Sequence, residues 1–237
     1  MKIKSTIGSF HLPLREDLHH RYRSWEYCYN YFRQLAPENI DCERDHAALQ
    51  LGFYLASWGM YRGSSFLLQH AYTVHRGVID LLAEDRFKPL WEHEYGTGYD
   101  DTNLRPLIMD AINAIRATYK PFVKEGSQQP TDTLVTKIIL GTFGCLPACD
   151  RFFIDGFKKS SLPFSYLNQQ FIQRISDFCA SNFDELSEVQ KEIQDVTGFR
   201  YPMMKLVDMY FWQIGYDLDV QKAEKRGGAV KQQTPNR

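Results

Sequence analysis

The residues best suited to chemistry lie in the stretch TDTLVTKIILGTFGCLPACDRFFIDGF, Thr131 to Phe157, where an apolar helix ends in a Gly/Pro loop and an acid opens the next helix. That acid is Asp150. At a helix start, free backbone amides and the positive end of the helix dipole both stabilise a carboxylate. Asp150 is therefore either a plain N-cap or an acid already held in place for a reaction, and the local pattern leaves both open. The other candidates carry less. Cys145 and Cys149 are four apart, but no further His or Cys nearby completes a metal set, so they read as small buried hydrophobes and no metal is expected. His70 and His75 are five apart, whereas a two-histidine metal face on a helix uses three or four. His19-His20 reads as a surface pair. Arg86 and His93 approximate a spacing found in some helical ribonucleases, but Pro89 breaks the helix they would share. The chain contains no Gly-rich phosphate loop, no Gly-x-Ser-x-Gly elbow and no kinase signature, which removes those enzyme classes.

Composition sets the frame for that stretch. The chain has 237 residues, 43% of them hydrophobic and 14% aromatic, enough for a real core and against wholesale disorder. A formal net charge of −1 gives no global pull towards nucleic acid or anionic lipid, so such a partner must be met by a local basic patch. No apolar run approaches the roughly 18 residues of a membrane span, and MKIKSTIGSFHLPL lacks a signal-peptide core, so the cytoplasm is the expected compartment. Five scattered cysteines argue against a disulfide framework.

Apolar spacing predicts helices almost throughout. Leu18, Tyr22, Trp25, Tyr29 and Phe32 form a stripe that predicts a first helix over Leu14 to Gln34, with Arg15, His19, Arg21, Arg23 and Arg33 on its mildly basic other face. Further helices are predicted over Asp45 to Leu55, Phe66 to Glu84, a short one after Arg86, Arg105 to Tyr119, and Thr133 to Thr142 capped by Thr131 or Asp132. Gly144 suits a left-handed C-terminal residue and Pro147 cannot continue the turn. A helix opening near Asp150 follows, then Tyr166 to Ala180, Phe183 to Val196, and Pro202 to Asp217, nearly all apolar and central to the core. From Gln221 the chain turns polar and reads as a frayed tail. Between Ser57 and Ser65, Gly59 and Gly63 bracket Trp58, Met60, Tyr61 and Arg62, and glycines there call for a reason, such as close packing or backbone approach to a ligand.

The segment around Asp150 resembles the catalytic part of the helix–hairpin–helix DNA glycosylase superfamily. The matching features are Ile138-Ile139-Leu140, then Phe143-Gly144 and Pro147, then Ala148-Cys149-Asp150 with Phe152 and Phe153 behind. The resemblance implies that Asp150 is the essential carboxylate, stabilising the oxocarbenium-like state formed as a base leaves its sugar and orienting a water. It implies that the base is flipped into a pocket, for which Trp58, Met60, Tyr61 and Arg62 are the candidate wall. Where the family carries a Gly-rich hairpin this chain has Gly126-Ser127-Gln128-Gln129-Pro130-Thr131-Asp132. Amides at the Thr133 helix start, with Lys137, are then the implied phosphate grip, joined by Arg151, Lys158 and Lys159. The four-cysteine iron–sulfur cluster of some members is absent, so no cofactor is expected. Lys137 lies within the apolar helix rather than at its entrance, which favours simple base removal over a lysine nucleophile.

These readings predict an all-α protein of two packed helical lobes. Residues 1–45 join 150–220 in one lobe, 46–149 form the other, 221–237 are a tail, and a cleft lies between the lobes. The expected function is a monofunctional DNA glycosylase that acts on double-stranded DNA, away from membranes, with the oligomeric state left open and a monomer as the default. It removes a modified or damaged base, with modified bases of phage DNA among the targets. The competing reading is a non-enzymatic helical module that binds DNA or protein through its basic first helix and needs no catalytic Asp150.

Overall fold

A computed structural model describes residues 2–35, 40–93, 103–124, 129–164 and 166–231. Among them the chain forms eleven α-helices joined by turns and short 3-10 segments, with no strand. The helices are α1 (Ile3–Glu16), α2 (Ser24–Gln34), α3 (Ile40–Ser57), α4 (Arg76–Leu82), α5 (Lys88–Glu92) and α6 (Leu104–Tyr119), then α7 (Asp132–Gly141), α8 (Arg151–Lys159), α9 (Gln169–Ser181), α10 (Phe183–Thr197) and α11 (Met203–Lys231). The Gly96/Gly98 loop and residues 125–128, which open the Gly126 turn, lie outside the described residues.

The N-terminal helix differs from expectation. Leu14 to Gln34 is two helices, because the Asp17 carboxylate accepts from the His19 N–H at 2.8 Å and the His20 ring accepts from the Tyr22 N–H at 3.3 Å. Such side-chain-to-backbone bonds offer the chain a turn in place of a helix. Upstream, Ile3, Ile7, Phe10 and Leu14 form the buried stripe of α1, which packs on α10 and α11. Phe66 to Glu84 likewise divides into two 3-10 turns and α4. At the other end α11 runs to Lys231, past Asp217, as Gln221 to Arg226 are good helix formers.

Two buried helices organise the rest. In α11 every residue from Met203 to Ile214 is buried. The second is α7, buried on all sides, which meets α2, α3 and α6. A helix end in the core must satisfy its last four carbonyls, and here each has a donor. Ile138 O accepts from Thr142 N–H at 3.0 Å, Ile139 O from Gly144 N–H at 2.9 Å, Leu140 O from Trp25 Nε1–H at 3.1 Å and Gly141 O from the Cys28 thiol at 3.4 Å. The Gly144 bond requires the left-handed backbone, φ 71°, that glycine adopts without strain.

α8 lies against α11 at a crossing set by two glycines. A Cβ on Gly156 would sit 1.9 Å from Phe211 O, and one on Gly215 would sit 1.9 Å from Phe152 O. Neither obstacle is a flexible side chain, so any larger residue must force the helices apart. Gly215→Ala is expected to lower the unfolding free energy by about 3 kcal/mol or more, the upper end for overpacking. Urea denaturation measures it; a loss below about 1 kcal/mol would mean that the helices are not this close.

Candidate functional site

The loop from Thr142 to Asp150 returns the chain across α7, and two α7 threonines hold it there. Thr133 Oγ1–H donates to Cys149 O at 2.9 Å, and Cys149 N–H donates to Thr136 Oγ1 at 2.8 Å. From α11, the Asp208 carboxylate accepts the Ala148 N–H at 3.0 Å. Asp150 then caps α8 with an extended backbone, its Oδ1 accepting from Phe153 N–H at 3.1 Å. Its Oδ2 accepts from the Lys137 ammonium, also at 3.1 Å.

This pair is the main feature of the site. The Lys137 side chain is 3% exposed and that of Asp150 is 16% exposed, so the cation is enclosed while the acid side chain is partly exposed. The Lys137 ammonium also lies 4.6 Å from the centre of the Trp58 ring, a cation–π contact that replaces part of its lost hydration. Tyr22 stacks on Trp58 with ring centres 4.4 Å apart. Trp212 meets Tyr22 edge-on, and Tyr216 stacks in turn on Trp212.

A second buried ion pair adjoins the first. Lys205 Nζ is 2.9 Å from Asp208 Oδ2, both side chains being 3% exposed. The Lys205 ammonium sits among the rings of Trp25, Trp58 and Phe10 at 4.9, 5.1 and 5.2 Å. Burial lowers the pKa of this amine. The Asp208 carboxylate opposes that shift, the nearby Lys137 charge adds to it and Asp150 opposes it. Trp58 thus touches both ammonium groups. Sequence reasoning missed this pair, although its signal is visible: a lysine and an acid three apart inside the otherwise apolar run MMKLVDMYFW.

The four residues proposed as a base wall take different directions. Trp58 reaches the Lys137–Asp150 pair. Met60 and Arg62, with Gly59, line a 220 Å³ cavity against Pro130, Thr131 and Leu134 at the start of α7. Gly59 ends α3 in the left-handed conformation, φ 76°, with Met60 N–H reaching back to Leu55 O at 2.9 Å, a Schellman motif that accounts for this glycine. Tyr61 turns to the core, where its hydroxyl bonds His75 Nε2 at 2.7 Å while His75 Nδ1 bonds the Tyr119 hydroxyl at 2.6 Å.

The proposed phosphate contacts divide similarly. Lys137 is buried and committed to Asp150, while the half-buried Thr133 donates its hydroxyl to Cys149 O. Arg151 is exposed and held bidentately by Asp219 at 2.8 and 3.1 Å; Lys158 and Lys159 are exposed at the end of α8. Cys145 and Cys149 are buried free thiols, and burial raises the Cys145 pKa to about 12. Among the described residues no group of His, Cys, Asp and Glu is placed to hold a metal ion, and no helix is long and apolar enough to cross a membrane. Comparison with known proteins finds no matching family model, curated protein or solved structure.

Burial also fixes the charge state of two histidines. His75 is fully buried and desolvation pushes its pKa down to about 4; His11 is lowered to about 4 mainly by burial, with Arg15, Arg23 and Lys205 adding to the shift. Between an unfolded pKa of about 6.5 and this folded value, the unfolded chain binds protons that the folded one refuses. Stability therefore falls as pH drops through that window. Melting temperature measured from pH 7 to 4 should decline, and His75→Gln should decline less steeply than the wild type. Parallel curves would show that His75 takes up its proton without unfolding.

Proposed function

We propose that this protein is a DNA glycosylase-like enzyme that flips a modified or damaged base out of the duplex and cleaves its N-glycosidic bond, leaving an abasic site. The observation that carries this reading is the Asp150 carboxylate. It follows the Gly/Pro loop, is pinned by a backbone amide on one oxygen and an ammonium on the other, and belongs to a side chain that is still partly exposed. Base departure builds positive charge on the sugar, and a fixed negative charge beside it stabilises that state without having to reorganise. The same carboxylate can orient the attacking water. Lys137, enclosed against Trp58, supplies the counter-charge that holds the acid in place, a role that suits simple hydrolysis.

Substrate would enter a cleft between one lobe of residues 46–149 and another of residues 1–45 packed with 150–220. Trp58, in contact with the Lys137 ammonium, is the proposed wall for a displaced base. Arg151, Lys158 and Lys159 lie on the helix that Asp150 opens and would meet phosphates. Modified bases in invading viral DNA fit this reading as well as repair lesions do.

The test is incubation with duplexes carrying candidate modified bases, followed by hot alkali to cut at abasic sites. Asp150→Asn keeps the cap but leaves Lys137 buried without its counter-ion. It should lose activity by about a hundredfold to ten-thousandfold and stability by about 3 kcal/mol. Adding Lys137→Met should restore stability and leave activity lost. Borohydride during the reaction should trap no adduct; a trapped adduct that disappears in Lys137→Met would instead make Lys137 a nucleophile with strand-cutting activity. Absence of abasic sites on every duplex, with Asp150→Asn binding DNA or a protein partner as the wild type does, favours the non-enzymatic module.

A further inference from the structure

We infer that Asp208 is the positioning residue of the Asp150 site, acting through the backbone amide of Ala148, with Lys205 present to neutralise it. The catalytic meaning of this inference rests on the reading above; its structural meaning does not. The loop that delivers Asp150 has its own local ties, since Thr133 and Thr136 bind both polar groups of the Cys149 backbone. Those ties come from α7 itself and fix the loop only relative to that helix. The bond from Ala148 N–H to Asp208 Oδ1 at 3.0 Å is the tie to α11. It joins the loop to the second central helix, two residues before the acid. At that point Asp150 must satisfy two demands at once: its Oδ1 caps α8, which is packed on α11, and its Oδ2 meets Lys137, which belongs to α7. Both can be met only if the relative placement of α7 and α11 is fixed, and the Ala148–Asp208 bond fixes it beside the acid.

A neutral side chain could accept one amide proton, so the charge of Asp208 calls for its own reason. Lys205 supplies it. An amide bound to a carboxylate is held more strongly than one bound to a neutral acceptor, and a carboxylate 3% exposed requires a cation. Lys205 meets Oδ2 at 2.9 Å from one helical turn earlier, with the Trp25, Trp58 and Phe10 rings around its ammonium. Because Trp58 also faces the Lys137 ammonium, the second pair supports both the loop and the ring beneath the first.

Two double variants separate anchoring from charge. Lys205→Met with Asp208→Asn removes both charges but keeps an oxygen to accept the Ala148 amide. Lys205→Met with Asp208→Leu removes both charges and that acceptor, at similar volume. The first readout is the ammonium resonance of Lys137 in a proton–nitrogen NMR spectrum of the folded protein, protected from water exchange by its pairing with Asp150. The inference expects this signal to persist in the Asn double variant and to be lost in the Leu double variant. With a duplex that the wild type cleaves, the Leu variant should also lose about a hundredfold in kcat, with KM unchanged, and the Asn variant should retain activity. If the Leu variant does not fold, Asp208→Glu keeps the ion pair while displacing the carboxylate, and it should shift or broaden the Lys137 resonance. A Lys137 signal identical in the Asn and Leu doubles, or unmoved in Asp208→Glu, overturns the inference. If the wild type releases no base from any DNA, the glycosylase reading falls and the Lys137 resonance alone decides the role of Asp208.

Discussion

A lysine in the middle of a helix buried on every side cannot remain there alone, because removing an ammonium from water costs several kcal/mol that only an anion and good contacts offset. Lys137 is in this position, and the site is built around it. Its helix cannot turn to release it, since Leu134, Val135, Ile138, Ile139 and Leu140 are buried around it and the last four carbonyls of α7 are each bound. An anion must therefore be brought to the lysine. The chain does this with a loop of nine residues, Thr142 to Asp150, that doubles back over α7 and ends on a carboxylate. The same carboxylate starts α8, so one side chain serves the ion pair and the helix cap together. Capping and a catalytic role are therefore compatible: the cap immobilises the acid.

The two central helices make that arrangement rigid. α8 can approach α11 closely because Gly156 and Gly215 place backbone against backbone, where any Cβ would overlap a carbonyl oxygen. This contact fixes the start of α8, and hence Asp150, relative to α11. Asp208 of α11 then reaches the preceding residues of the same loop. Two charged pairs, each with its lysine on a buried helix, end up flanking Trp58. Four charges that would be costly singly form a neutral set whose members hold one another in position, and aromatic faces take the place of water around the cations.

Parts of this were legible in the sequence for local reasons. The apolar spacing that marks α6, α7, α9 and α10 is a property of a few neighbouring turns, as are the caps of Thr131 and Asp150 and the left-handed Gly144, so they need no knowledge of the rest of the chain. Where a local rule met a competing local rule, the expectation slipped. The stripe from Leu18 to Phe32 suggested one helix, but Asp17 and His20 bind backbone amides and start a new one. Residues 3–14 carry a buried stripe of their own, upstream of the first predicted helix.

The sequence by itself determined the helical class, the order of apolar helix, Gly/Pro loop and acid, and the place of Asp150 at a helix start, because each depends on residues within a few turns of one another. Only the tertiary structure decided what Asp150 faces. Lys137 is thirteen residues away and Asp208 is sixty residues from Ala148, and no periodicity links such positions. Within its own segment Lys137 reads as an odd charge in an apolar helix, and Lys205 and Asp208 read the same way in theirs. Their meaning arises only when packing removes water from all of them together, for it is the loss of water that makes each buried charge seek its partner.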